Sequence, residues 1–445
     1  MTLANTRLRP AALATLSALL LATTGVHAQW VSFSDETATR LRVRPFADGT
    51  GTIATDAQEK DFAVGDLNRD GRDDMVVVRK EPFSNAGARQ DLLLLNFRGR
   101  LIDLTARYAP GFLTNFTDAR DVTIVDVDND DWPDVFIANT FEEPPKLYRN
   151  LGRGEDGRWR GLADESFRLP TIDVPTDINT IQICAVAAGD VTGDGFVDFY
   201  LSNYNEVPGT RDLLLINDGT GNFNLEQSRL GDYARISFGT SAEIHDMDGD
   251  GDQDIVKLNA LFDNPVFPHG VFILFNDGNG QFDTVPYQQI ADTDPYMFTV
   301  YDHDLDGALD VYIVKDSRDE LVTARGLIAD GPIEYDTRPL PFGRTNQFGG
   351  NVKAADVDND GDLDVGLAPI DVDIANCGDS TEFTLWENIG ASGLRDNEFP
   401  DNANFSLDPH DFAFIDIDGN GCVDMVMGLC EGWRVFMNNG CVAEE

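Results

Sequence analysis

Seven times along the 445-residue chain, carboxylates fall on alternate positions of one nine-residue pattern. It reads DLNRDGRDD from Asp66, DVDNDDWPD from Asp126, DVTGDGFVD from Asp190 and DMDGDGDQD from Asp246. It returns as DHDLDGALD from Asp302, DVDNDGDLD from Asp356 and DIDGNGCVD from Asp416. Oxygens at positions 1, 3 and 5 of a tight loop suit a hard cation of calcium's size, which takes roughly six to eight oxygen ligands. Gly at position 6 supplies a left-handed turn, position 7 offers its carbonyl, and the ninth residue closes the shell. An EF-hand begins similarly but ends in Glu between helices, whereas here β-rich runs such as Met75-Val76-Val77-Val78 follow at once.

The expected ligands are Asp66, Asn68, Asp70, the Arg72 carbonyl and Asp74 in loop 1, and Asp126, Asp128, Asp130, the Trp132 carbonyl and Asp134 in loop 2. Loop 3 offers Asp190, Thr192, Asp194, the Phe196 carbonyl and Asp198; loop 4 offers Asp246, Asp248, Asp250, Asp252 and Asp254. Loop 5 offers Asp302, Asp304, Asp306, the Ala308 carbonyl and Asp310; loop 6 offers Asp356, Asp358, Asp360, Asp362 and Asp364. Loop 7 offers Asp416, Asp418, Asn420, the Cys422 carbonyl and Asp424. Up to seven structural calcium ions are expected. Loops 1, 3 and 7 substitute Asn or Thr for one carboxylate and are expected to release calcium first. Loop 2 has Asp131 in the glycine position, which Asp tolerates better than most residues.

The elements that position these loops repeat with them. Successive loops start 60, 64, 56, 56, 54 and 60 residues apart, the mark of a repeat architecture. Each period reads as four strands. One enters the loop, a second leaves it, a third ends in Asn and a turn (Leu213-Leu214-Leu215-Ile216-Asn217-Asp218-Gly219), and a fourth follows. This predicts an all-β, seven-bladed β-propeller of four-stranded antiparallel blades. The chain stops soon after the third strand of repeat 7, and the run from Trp30 to Glu36 precedes the first inner strand unpartnered. Placing that run, at about 30–36, as the outer strand of blade 7 closes the ring and removes an edge.

Repeat 6 carries Phe348-Gly349 before its inner strand, the DVDNDGDLD loop, and then Gly366-Leu367-Ala368-Pro369; repeat 4 keeps Phe238-Gly239. With these pieces the chain resembles the FG-GAP/VCBS repeat family, whose best-known member is the propeller of integrin α subunits. The resemblance implies calcium loops on one face and partners on the other, and it leaves activity open, since a fold carries many functions.

Residues 1–28 read as a signal peptide: Arg7 and Arg9, an apolar run from Ala11 to Leu21, and Val26-His27-Ala28 before Gln29. The mature propeller, 29–445, is then secreted or periplasmic without a lipid anchor. Topology puts Cys422 and Cys441 on one face of blade 7, and Cys377 and Cys430 in matching loops of blades 6 and 7. The expected bridges are therefore 422–441 and 377–430, with Cys184 a buried thiol. Asp outnumbers Glu by 60 to 18, and 25 of those Asp occupy loop positions 1, 3, 5 and 9. The formal charge of −45 argues against nucleic acid and anionic membrane surfaces as partners and favours neutral or cationic ligands, and no membrane insertion is expected because no later apolar stretch is long enough to span.

Five residues before each loop stand Asp61, Asp121, Ala185, Ser241, Met297, Asn351 and Asp411. The three acids fall in blades 1, 2 and 7, adjacent once the ring closes, and Lys60, Arg120 and His410 directly precede them. These six residues are the candidate ligand-binding set, at the channel mouth away from calcium. No nucleophile elbow, phosphate loop or dinucleotide motif appears, and no catalytic residue is assigned. The expected function is an exported, calcium-stabilised, non-catalytic binding or adhesion module for an extracellular protein or glycan. The alternatives are a polysaccharide lyase on a propeller scaffold, with His410, Lys60, Arg79 and Lys353 as its few bases, and a structural subunit of an exported complex.

Overall fold

Apolar runs of four to seven residues pair into seven antiparallel sheets arranged as a ring. The computed structural model describes residues 30–441 apart from 83–84, 142, 173–181, 205–210, 232–238, 261–268, 293–294, 316–317, 328–331, 341–349, 371–376, 378–381 and 397–407. The signal segment 1–28, Phe238, Phe348-Gly349 and most of the loops 260–270 and 369–381 lie outside the described residues.

The inner strands are Glu59–Gly65, Ala119–Val125, Ile183–Gly189, Ala242–His245, Pro295–Tyr301, Val352–Ala355 and Pro409–Ile415. Each second strand starts on the ninth residue of its loop, as in Asp74–Lys80, and is buried along its length. Burial on both sheet faces explains why these strands read as unbroken apolar runs rather than as alternation. The core lies between neighbouring sheets. Phe136 and Leu147 of blade 2, for example, pack with Phe199 and Leu213 of blade 3.

The ring closes through its amino-terminal strand. Phe33–Asp35 pairs with Trp433–Asn438 in the register Phe33↔Asn438, completing the sheet of blade 7. Blade 1 departs from the four-stranded plan: Leu41–Arg42 adds a fifth, parallel strand beside Leu101–Asp103. The chain crosses from blade 7 to blade 1 here, and two spare residues suffice to cover the outer edge. No helix among the described residues is long and apolar enough to cross a membrane.

The Asn that ends the third strand locks each blade to the one before it. Its side-chain amide donates to the carbonyl of loop position 2 in the preceding blade: Asn96 to Ile417 at 3.0 Å, Asn150 to Leu67, Asn217 to Val127, Asn388 to His303 and Asn438 to Val357 at 2.8 Å, and Asn276 to Val191 at 2.7 Å. Blade 5 has Ala324 at this position and has no such clasp.

Candidate metal loops and channel mouth

In every loop the first Asp organises the turn by accepting backbone N–H groups. Asp66 Oδ1 accepts from Asp70 at 3.0 Å and Oδ2 from Gly71 at 2.8 Å, a pair repeated at Asp126, Asp190, Asp302, Asp356 and Asp416. Loop 4 shifts one donor, so Asp246 accepts from Gly249 and Gly251. Position 6 has positive φ throughout, including Asp131 at 68°. Position 4 does too, through Arg69, Asn129, Gly193, Gly249, Leu305, Asn359 and Gly419, a requirement that its mixed composition conceals.

The ninth residue is bound on both oxygens. Asp134 accepts from Val127 N–H at 3.0 Å and from Asn150 N–H at 2.6 Å. The same two donors serve Asp198, Asp254, Asp310, Asp364 and Asp424. This residue therefore joins loop, second strand and third strand before any ion is considered, and each oxygen keeps a lone pair for a metal. Burial, with the neighbouring carboxylates adding, pushes Asp74, Asp134, Asp198, Asp254, Asp310 and Asp424 up to about 7 and Asp364 up to about 8.

Whether a divalent cation fits is answered by the donor set. Oxygens of Asp126, Asp128 and Asp134 lie within 4.8 Å of one another, as do those of Asp246, Asp248 and Asp250, of Asp302, Asp304 and Asp306, and of Asp356, Asp358 and Asp360. In loops 5 and 6 no Lys or Arg ion pair reaches these groups among the described residues. Loop 2 has Arg149 at 2.6 Å from Asp128 and 3.0 Å from Asp130, and loop 7 has Arg40 at 3.3 Å from Asp418. Loops 1 and 3 answer part of their charge internally: Asn68 Nδ2 donates to Asp74 at 2.9 Å, and Thr192 Oγ1 donates to Asp198 at 3.4 Å. An oxygen-only, acid-rich cluster of this spacing fits a hard cation.

At the opposite end of the inner strands lies a cavity of about 410 Å³, lined by the first halves of the inner strands of blades 1–6. The three candidate acids come together around Lys353, whose Nζ is 3.0 Å from Asp411 and 3.8 Å from Asp61. Each also caps the next inner strand: Asp411 accepts from Phe62 N–H at 3.1 Å, Asp61 from Val122 N–H at 3.1 Å and Asp121 from Val186 N–H at 2.7 Å. Register shifts beside Asp121 and Asp411 turn these side chains across the seam. Burial raises Asp61 and Asp121 to about 6 and Asp411 well above the carboxylate range, while Lys353 opposes the rise.

The three preceding bases do not pair with the trio, because adjacent strand residues face opposite sides, although Lys60 and Arg120 also line the cavity. Lys60 is buried against blade 7, donating to Leu429 O at 2.8 Å, with Asp56 3.8 Å away. Arg120 Nε lies 3.4 Å from Glu59, and its Nη1 lies 3.6 Å from Cys184 Sγ. His410 is buried 3.8 Å from Cys377 Sγ, and burial with the nearby Lys60 and Lys80 holds its imidazole well below the usual range. Arg79 is consumed by Asp48 at 3.0 Å and Asp56 at 2.7 Å. Lys353 is the residue missing from the six-residue set; its place three residues before loop 6, inside a small-residue strand, is the signal for it.

Cys377 is bonded to Cys430 and Cys422 to Cys441, while Cys184 is buried and outside both disulfides. Two disulfides suggest an extracellular or periplasmic protein. Residues 126–201 and 190–257 match the FG-GAP-like repeat. No curated protein matches the chain. Among solved structures, a lectin of Agrocybe aegerita, described by its specific recognition of non-reducing terminal N-acetylglucosamine, superposes with a TM-score of 0.49. It is 16% identical over 84% of this chain and 85% of the lectin. The Photorhabdus luminescens Tc holotoxin pore superposes with a TM-score of 0.37, at 15% identity over 82% of this chain and 16% of that one.

Proposed function

We propose that this chain, a seven-bladed propeller of FG-GAP-like repeats, is an exported binding or adhesion module that calcium stabilises and that performs no catalysis. The observation that carries the reading is the 410 Å³ cavity at the channel end away from the loops, where Asp61, Asp121 and Lys353 converge with Ser241, Thr299 and Asn351. Convergent polar groups at a concave site on a rigid scaffold suit recognition. The acids of its lining, Glu59, Asp61, Asp121 and Glu243, outnumber the bases Lys60, Arg120 and Lys353, which favours a neutral or cationic ligand, an extracellular glycan or protein segment. The calcium ligands are the loop residues of positions 1, 3, 5 and 9 with the carbonyl of position 7; the bound ions supply countercharge.

Support for a non-catalytic role comes from the bases. The lyase alternative needs a base and cationic groups facing the polymer, yet His410 and Arg79 are buried and engaged elsewhere. The test is glycan- and peptide-array binding in calcium by wild type and by Met297→Trp, which fills the cavity from a half-buried wall position. Ligands captured by wild type and lost by the variant, with melting unchanged, are expected. Undiminished capture by the variant, or turnover of a captured glycan that His410→Ala abolishes, would overturn the reading.

A further inference from the structure

Charge is distributed unevenly along the chain. Residues 40–168 hold 24 acids and 19 bases, while all other residues hold 54 acids and 14 bases. The less acidic stretch builds blades 1 and 2, and there, on the calcium-loop side, lies a cleft of about 480 Å³. Tyr108 and Trp159 meet in it with ring centroids 4.9 Å apart and planes at 34°. Trp159 is fixed from behind by Nε1 donating to Asn150 at 2.8 Å. Phe97, 56% exposed, stands at the rim.

Arginines frame these rings. The Arg107 guanidinium lies 4.8 Å from the Tyr108 centroid and that of Arg98 lies 5.2 Å from Phe97. Arg153 is held over the cleft by the carbonyls of Asn68 at 3.3 Å and Arg69 at 3.1 Å. No carboxylate ion pair reaches Arg98, Arg107 or Arg153 among the described residues, and Asp70 is the single acid lining the cleft. The fold does not require this composition. Where blade 1 turns with Phe97-Arg98-Gly99-Arg100 and blade 2 with Leu151-Gly152-Arg153, blades 3 and 4 use Asp218-Gly219 and Asp277-Gly278. Beyond the same blade 1 turn, a second groove of about 990 Å³ is lined by Arg98 and Arg100, together with Arg40 and Arg434, which are ion-paired to Glu36 and Asp35 of the same lining.

We propose that this cleft binds a uronate-bearing oligosaccharide, with sugar rings stacked on Phe97 and Tyr108 and carboxylates held by Arg107 and Arg153 in the cleft and by Arg98 of the adjoining groove. Stacking faces beside planar cations select a ligand with both an apolar face and an acid on each unit. An acidic peptide lacks the face. Nucleic acid has it, but carries one charge per roughly 1.7 Å of duplex, too dense for a few arginines on an acidic body. The site is distinct from the channel cavity and independent of its ligand.

Calorimetric titration in calcium, with galacturonate and hyaluronan hexasaccharides, their carboxyl-reduced counterparts and hexaglutamate, tests this. Uronate binding is expected, weakened roughly tenfold or more by carboxyl reduction and by Arg107→Ala or Phe97→Ala, both at exposed positions, with melting unchanged. Met297→Trp is expected to leave it intact, which separates failure here from failure at the channel. Absence of binding by both uronates, equal binding of the reduced sugars, equal binding of hexaglutamate, or wild-type affinity in both cleft variants overturns the proposal.

Discussion

The loop carboxylates on one face and the aspartates at the far end of the channel begin from the same difficulty. Carboxylates at the 4.8 Å limit seen within a loop repel by about 3 kcal/mol per pair at an effective dielectric near 20. The channel trio answers this with a cation of its own, Lys353, and with N–H donors from each next blade. Loops 5 and 6 have donors for the first and ninth Asp but no Lys or Arg ion pair among the described residues. One acidic cluster is complete within the chain and the other is complete only with something added. That difference is what the proposal of calcium at the loops and of a ligand at the channel rests on.

The largest break in the comparison is chelation. Each ion bound only by the folded chain adds about 2.7 kcal/mol at a hundredfold excess over its dissociation constant, so EDTA should lower the melting temperature by about 10 °C or more in calorimetry. Next is Lys353→Met, which strands the trio and should cost about 3–5 kcal/mol in denaturant unfolding with calcium saturating. Its pH dependence has a definite sign. Asp61 and Asp121 titrate at about 6 in the fold against an ordinary 3.8, so the folded chain holds protons that the unfolded chain has released. Their contribution is fully present below 3.8 and lost as pH rises to about 6, and the variant should show a steeper loss carried to higher pH.

Smaller effects sharpen the picture. Asn217→Ala removes the bond to Val127 at 2.8 Å and leaves that buried carbonyl unpaired, for a loss of about 1–3 kcal/mol by denaturant unfolding. Smallest is Asn68→Asp, which restores the fourth carboxylate of loop 1. It should tighten that single site by roughly tenfold in calcium titration while slightly lowering stability in EDTA.

The repeated half of the molecule was legible in the sequence. Seven copies of one loop averaged out local ambiguity, and the period, strand order and closing strand at Phe33–Asp35 all followed from spacing. The Asn that ends six of the seven third strands was visible too, but its role was not, since its partner lies in another blade. The single-copy half was harder. Asp61, Asp121 and Asp411 could be brought together by counting back from the loops, whereas the separate partners of Lys60, Arg120 and His410 depend on which way each side chain points. Net charge carried no positional information: −45 for the chain hides a stretch of near balance at 40–168.

The central claim, that the loop face is completed by added divalent ions, is tested most directly by counting them. Native mass spectrometry in calcium should show at least the ions of loops 2, 4, 5 and 6, rising to one for each of the seven loops, with those of loops 1, 3 and 7 leaving first as calcium is withdrawn. A chain that binds none at saturating calcium, and whose melting and protease resistance are the same in EDTA, would contradict it.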